Sequence, residues 1–126
     1  MNDEELLDII QAAAFEVRKH LCPGYLEIVY QNALLIELQS RGLEVDKEVA
    51  IPVYYKGHVV GDYRCDLLVE KRIIIELKAT ANITPIHEAQ LVNYLVATNL
   101  PVGALVNYGA DKFSFRRKTK DYIKKK

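Results

Sequence analysis

The fold is decided by the stretch Asp66-Leu67-Leu68-Val69-Glu70-Lys71-Arg72-Ile73-Ile74-Ile75-Glu76-Leu77-Lys78, in which two apolar runs flank one short polar break. The isoleucines predict a buried strand, and Glu70-Lys71 predicts a hairpin turn. Side chains alternate faces along a strand, so Glu76 and Lys78 point the same way. The antiparallel neighbour then brings Asp66 towards Glu76, and two carboxylates share a small patch with one ammonium group.

Charges at the end of a buried strand have two readings. Opposite charges across a sheet are ordinary stabilising pairs, and Glu-x-Lys is a short pattern that also arises by chance. However, taking a charge out of water is costly unless it is matched, and such a cost is often retained for function. In the second reading, the patch binds a divalent cation and activates a water molecule.

The remaining sequence predicts helices and strands around this hairpin. Helices are expected at residues 3–21, 26–41 and 85–98, with Asn2 or Asp3 and then Thr84-Pro85 at two of the starts. Leu26, Val29, Ala33 and Ile36 mark one side of the second helix, and Gly42 ends it. Strands are expected at residues 44–55, 58–69, 72–79, 102–108 and 112–117, with turns at Lys56-Gly57, Glu70-Lys71 and Gly109-Ala110-Asp111.

This order, ααβββαββ, is that of an α/β protein. A strand that follows a meander and a helix can insert parallel to one meander strand, because the helix supplies the crossover. Pro52 cannot donate a ladder hydrogen bond, so the first strand is expected at an edge or broken there. We expect one domain over residues 1–126, with a basic tail from about residue 118.

Composition excludes several classes of protein. Half of the 126 residues are hydrophobic, and 17 basic residues balance 17 acidic ones, which is typical of a globular protein. There is no apolar run long enough for a membrane span, and the first residues are acidic, so we expect a cytoplasmic protein. Cys22 and Cys65 are expected to be free thiols. With two cysteines and three histidines, any metal should be a hard cation bound by oxygen.

Two further segments carry candidate site residues. Glu27 and Tyr30 are three residues apart and share one helical face, although a glutamate near a helix start is also favoured by the helix dipole. His87, Gln90 and Tyr94 lie on one face of the third helix. That face is either exposed to solvent or turned towards the end of the meander, where Gln90 and Tyr94 can contact water, phosphate or a nucleotide.

Taken together, these motifs resemble the PD-(D/E)XK nuclease superfamily. More closely, Gly24-x-x-Glu27-x-x-Tyr30, Glu76-Leu77-Lys78 and His87-Glu88-Ala89-Gln90-Leu91-x-Asn93-Tyr94 are similar to the small prokaryotic GxxExxY proteins, over roughly residues 5–117. The resemblance implies a restriction-endonuclease-like core (αβββαβ), a central mixed sheet flanked by helices, with an additional N-terminal helix. One departure is Cys65, which stands before Asp66 in place of proline.

The resemblance also implies roles for individual residues. Asp66 and Glu76 would bind Mg²⁺ or Mn²⁺ directly, with the Leu77 carbonyl completing the protein ligands. Glu27 would act through the metal or a bound water, and Lys78 would orient the attacking water and stabilise charge.

Substrate contacts are expected on several elements. Gln90 and Tyr94 match the helix motif of the exonuclease-like branch, and further contacts are predicted at Tyr30, His87, Arg116, Arg117 and Lys118. The basic tail is read either as solvated or as a contact with the phosphate backbone.

Three functional hypotheses remain open from sequence. The first is a metal-dependent nuclease acting on DNA or, second in preference, RNA. The second is a catalytically inactive nucleic-acid-binding or protein-interaction module on the same fold, and the third is a structural protein whose charges simply pair. A domain this small has few insertions with which to enclose DNA, which suggests a homodimer or a partner protein.

Overall fold

The computed structural model describes residues 1–109 and 112–120, which form three helices and five strands. The helices are α1 (Asp3–His20), α2 (Glu27–Ser40) and α3 (Pro85–Thr98). The strands are β1 (Val45–Tyr55), β2 (His58–Val69), β3 (Ile73–Lys78), β4 (Val102–Asn107) and β5 (Ser114–Thr119). This is the predicted element order.

Two helices begin where their capping residues predict. The Asn2 side chain accepts a hydrogen bond from the Glu5 N–H, and the Glu5 carboxylate accepts one from the Asn2 N–H. Thr84 and His87 form the equivalent reciprocal pair at the start of α3, with Pro85 at its first turn. These bonds satisfy N–H groups that have no partner inside the helix.

The sheet has the order β1-β2-β3-β4-β5. β1, β2 and β3 form an antiparallel meander, β4 runs parallel to β3, and β5 is antiparallel to β4. Both the parallel insertion after α3 and the edge position of the Pro52 strand are therefore confirmed. The result is the predicted restriction-endonuclease-like α/β fold with a mixed central sheet.

Alternating side chains of the sheet enter two separate apolar layers. On one face, Ile73, Ile75 and Leu77 pack with residues of α1 and α2. On the other face, Ile74 packs with Leu91 and other residues of α3. Glu76 and Lys78 have the parity of Ile74, so they lie on the α3 face of the sheet.

The apolar residues expected to mark one side of α2 do not form its buried side. Leu26 and Ile36 are 77% and 67% exposed, and Val29 and Ala33 are only partly buried. The buried residues are Tyr30, Gln31, Leu34 and Leu38. Apolar residues occur all around this helix, so their spacing does not identify the buried side, which contacts with α1 and the sheet determine instead.

The final strand is shifted relative to its prediction. β5 covers Ser114–Thr119 rather than residues 112–117. The predicted turn at Gly109-Ala110-Asp111 lies partly outside the described residues, as does the tail beyond residue 120.

Cys22 and Cys65 are free thiols, as predicted. Within the described part of the chain, no helix is both long and apolar enough to cross a membrane.

Candidate active site

The site is built where β2 separates from β3. The ladder between these strands covers only three pairs, the last being Leu67 with Ile75. Beyond the Leu67–Ile75 pair, backbone N–H groups donate to side-chain carboxylates instead of to backbone carbonyls. The Asp66 N–H donates to Glu76 Oε2 at 2.8 Å, and the Leu77 N–H donates to Asp66 Oδ2 at 2.7 Å. The two carboxylates are thus held together, each by a backbone N–H of the opposite strand.

Both carboxyl groups are destabilised in their charged form. Glu76 is 5% exposed, and burial, followed by the charge of Asp66, raises its pKa to about 8. Burial also raises the pKa of Asp66. The hydrogen bond from the Leu77 N–H lowers this pKa, and the charge of Glu27 raises it further. Buried carboxylates with like charge nearby are suited to binding a cation, which would compensate both effects.

Lys78 lies two residues after Glu76 and has the same parity on β3, so it points to the same face of the strand. It is half-buried, and its charge lowers the pKa of both Asp66 and Glu76, although less than burial raises them. Within the site, it is therefore placed to interact with anionic oxygens.

Glu27, on α2, acts on the site through its charge. It is the first residue of the helix, after Leu26, which provides no side-chain cap. Glu27 is exposed, and its charge raises the pKa of Asp66 and of Glu76. The turn before α2 has Gly24 at φ +124°, a conformation that favours glycine.

Helix α3 contributes Gln90 and Tyr94. Tyr94 is largely buried, and burial, followed by the charges of Glu76 and Asp66, raises its pKa to about 12. Gln90 is half-buried and shares a surface groove with Tyr94. His87 caps the helix through Nδ1, which accepts the Thr84 N–H at 3.2 Å.

The remaining predicted substrate contacts are distributed differently. Tyr30 is fully buried; its hydroxyl donates to the Cys22 carbonyl at 2.6 Å, and its ring stacks on that of Tyr108 at 4.7 Å. It therefore supports the turn before Glu27, and its ring does not reach the surface. This position does not fit the predicted contact with substrate.

The three basic residues of β5 separate by strand parity. Arg116 and Lys118 both pair with Glu88 on α3. Arg117 points to the opposite face, where it pairs with Glu4 and Asp8 of α1. Arg117 therefore lies on the other side of the sheet from the carboxylate pair, which does not fit its predicted role.

Three residues near the site were not predicted. Gln31 is buried and donates to Glu48 Oε2 at 3.3 Å, and the charge of Glu48 also raises the pKa of Asp66. Glu48 has a positive φ of +52° within β1. The alternation of apolar and polar residues does not reveal this irregularity, so the sequence gives no signal for Glu48.

The third is Asn107, at the end of β4. Its side chain accepts N–H groups of Thr80 and Gly109 and donates to the Thr80 carbonyl at 2.9 Å. This clamp fixes the chain just after Lys78. A Cβ at Gly109 would lie 2.2 Å from the carbonyl carbon of Ala79, so the two strand ends can approach only because residue 109 is glycine.

The donor set fits a hard divalent cation. Within residues 1–109 and 112–120, no three His, Cys, Asp or Glu side chains form a ready-made metal-binding group. Mg²⁺ rarely requires one, since it is usually bound by one or two carboxylates, water and substrate phosphates. Asp66 and Glu76 supply such a carboxylate pair.

Cys65 lies next to Asp66 in the chain but is buried. Its thiol is 1% exposed, and burial, followed by the charge of Glu76, raises its pKa to about 12. The thiol therefore stays protonated and packs in the layer beneath α3.

Paired carboxylates beside a lysine can bind a divalent cation and stabilise anionic oxygens, which are the requirements of metal-assisted hydrolysis of phosphate esters. Residues 4–119 match the family model of the PD-(D/E)XK nuclease superfamily, and the chain belongs to that superfamily. Nucleases of this superfamily generally use a divalent metal such as Mg²⁺ and act on nucleic acid.

No curated protein matches the chain. Among solved structures, the crystal structure of SSO0001 is similar, with a TM-score of 0.54 and 20% identity. The match covers 74% of this chain and 50% of that one, so this chain corresponds to about half of the neighbour's length. At this identity, the similarity concerns the fold alone.

Proposed function

We propose that the protein is a metal-dependent nuclease that hydrolyses phosphodiester bonds of DNA. The observation that carries the proposal is the pair of hydrogen bonds from the Asp66 and Leu77 N–H groups to the Glu76 and Asp66 carboxylates, which orients one buried and one half-buried carboxylate at the point where the strands separate. Membership of a nuclease superfamily supports the same conclusion. The motif around Glu27 further supports a place in the GxxExxY group.

In this proposal, Asp66, Glu76 and the Leu77 carbonyl bind Mg²⁺ or Mn²⁺, and Glu27 acts through a water molecule. When bound, such a cation lowers the pKa of water and neutralises charge on the phosphoryl oxygens. Lys78 orients the attacking water and stabilises the charge that develops in the transition state. No covalent intermediate with the protein is required.

The other side chains hold the substrate in position. Gln90 and Tyr94 contact the phosphate or the attacking water from α3. Arg116 and Lys118 lie on the α3 side of the sheet. They attract the phosphate backbone of the nucleic acid once their ion pairs with Glu88 are broken. Tyr30 and Arg117 take no part in this proposal, since one is buried and the other faces α1.

A binding module without turnover is the second candidate. The same hydrogen bonds that orient Asp66 and Glu76 also complete the end of a strand ladder, so the carboxylates have a structural role that could persist without catalysis. In this candidate, the protein binds nucleic acid or another protein and does not cleave it.

Cleavage assays separate the two candidates. Labelled single-stranded DNA, duplex DNA and RNA are incubated with Mg²⁺, Mn²⁺ or EDTA. We expect cleavage that requires the metal and falls by roughly 100-fold or more in Asp66→Asn and Lys78→Met. Asn retains an oxygen acceptor for the Leu77 N–H, so loss of activity would not reflect loss of that bond.

Glu16→Gln is the matched control, because Glu16 pairs with Lys19 and His20 near the end of α1, and its variant should cleave normally. Binding of nucleic acid with no cleavage under any metal would select the second candidate. Cleavage that is unchanged in Asp66→Asn would refute the assigned site.

A further inference from the structure

A groove of about 710 Å³ lies between the outer part of the β1–β2 hairpin and α3. The hairpin extends past β3, because β2 pairs with β3 only at its last three residues. Residues that line the groove include Tyr54, Tyr63, Ile86, Gln90, Asn93 and Tyr94. This volume is in the range of sites for small organic ligands.

Aromatic rings form one wall of the groove in a defined arrangement. The rings of Tyr63 and Tyr94 lie 5.8 Å apart at 47°. Tyr63 is 49% exposed and Tyr54 63%, so both present ring surface to solvent. Gly61 leaves space for the Tyr63 ring, since a Cβ at that position would lie 2.9 Å from its Cε2 atom.

The lining selects the chemistry of the ligand. No Lys, Arg, Asp or Glu is among the described residues that line the groove, so a phosphate backbone finds no cation there. A planar aromatic ligand with polar edges fits better, because tyrosine rings stack on its faces while Gln90 and Asn93 offer amide groups to its edges. A nucleobase has this combination, and stacking on aromatic side chains is how single strands are commonly bound.

Base pairing determines which nucleic acids can stack on the tyrosine rings of the groove. In a duplex, both faces of each base are covered by its neighbours and only the edges are accessible in the grooves. A tyrosine can therefore stack only on a base that is unpaired or displaced from the helix.

The groove borders the candidate active site through Tyr94. Tyr94 and Gln90 line the groove, and the charges of Glu76 and Asp66 act on the Tyr94 hydroxyl. Tyr94 therefore lies between the groove and the carboxylate pair.

We propose that this groove binds an unpaired nucleobase next to the phosphate held at Asp66 and Glu76, so that single strands are bound in preference to duplexes. This inference rests on the proposed function and adds the substrate class. A second copy of the chain would be an alternative occupant of the groove, and the experiment distinguishes the two.

Binding is measured in EDTA, where the proposed reaction cannot proceed, by fluorescence anisotropy of labelled oligonucleotides. The probes are a short oligothymidylate, the same strand with abasic sites, a duplex of equal length, and an oligouridylate, which distinguishes DNA from RNA. We expect the oligothymidylate to bind at least about tenfold more tightly than the abasic strand, which carries the same phosphates.

Variants locate the stacking surface. Tyr63→Ala should weaken binding of the oligothymidylate by about tenfold, and Tyr63→Phe should restore it, because the ring and not the hydroxyl stacks. Tyr55→Ala is the matched control: Tyr55 is as exposed as Tyr54 but lies outside the groove. Gly61→Ala should also weaken binding, since the new methyl group displaces the Tyr63 ring.

The outcomes separate this inference from the proposed nuclease. Equal binding of the abasic strand or the duplex, or no effect of Tyr63→Ala, would refute the inference, even if the protein cleaves DNA. Base-dependent binding without cleavage under any metal would support the groove and refute the nuclease. Self-association that Tyr63→Ala abolishes, measured by sedimentation, would assign the groove to a second copy instead.

Discussion

Replacing Glu76 with glutamine is expected to stabilise the metal-free protein at alkaline pH. The pKa of Glu76 is raised by burial and by Asp66 from its ordinary value of 4.5 to about 8. Between these values, the folded protein retains a proton that the unfolded chain has released. The free energy of unfolding therefore falls as the pH rises through this window. The stabilisation that comes from the Glu76 proton is complete only below pH 4.5.

The magnitude follows from the width of the window. One proton corresponds to about 1.4 kcal/mol for each pH unit, so the loss between pH 4.5 and pH 8 has an upper bound of about 5 kcal/mol. Glutamine carries no titrating proton, and its amide oxygen can still accept the Asp66 N–H. Glu76→Gln should therefore exceed the wild-type protein in stability at pH 9 by a large part of this amount.

The assay is urea denaturation in EDTA at intervals between pH 5 and pH 9. The difference in unfolding free energy between the wild type and Glu76→Gln isolates the contribution of this carboxyl group. Glu16→Gln serves as the control and should retain the wild-type decline, since His20 and Lys19 lower the pKa of Glu16 instead. A wild-type decline that persists unchanged in Glu76→Gln would refute the electrostatic account of the site.

Three further predictions concern the neighbouring elements. Asn107→Ala removes the clamp on Thr80 and should lower the unfolding free energy by about 2 kcal/mol in urea denaturation, together with any cleavage activity. Gly109→Ala should unfold at lower temperature by calorimetry, because its methyl group would overlap backbone atoms; a wild-type melting temperature would contradict this. Glu88→Gln releases Lys118 and should strengthen binding of oligothymidylate at low salt, with a steeper dependence on salt concentration; unchanged anisotropy titrations would show that this cation does not meet the substrate.

The sheet was predictable because its signals are local. Alternation, turn residues and the Thr84-Pro85 start identify each element without knowledge of its neighbours, and the single helix between β3 and β4 restricts the connection to a parallel crossover. The pairing of Asp66 with Glu76 follows from the same hairpin. These are properties of short segments and do not depend on how the layers pack.

Packing explains what the sequence did not reveal. Tyr30 has helical spacing with Glu27, yet its ring is directed into the core by contacts with Tyr108, 78 positions away in the chain. Asn107 has no recognisable motif, because its role requires that β4 lie beside β3. Arg117 is different: strict alternation along β5 would have separated it from Arg116.

The hydrogen bonds at the candidate site link its chemistry to the fold in a way that affects how variants are interpreted. Asp66 and Glu76 accept backbone N–H groups that a continued ladder would have paired. An alanine at either position would remove a carboxylate and also leave a partly buried N–H without its partner, which costs at most about 1–3 kcal/mol. Loss of activity in such a variant would therefore not distinguish chemistry from folding. Asn and Gln keep an acceptor oxygen, so only these substitutions test the carboxylate charge itself.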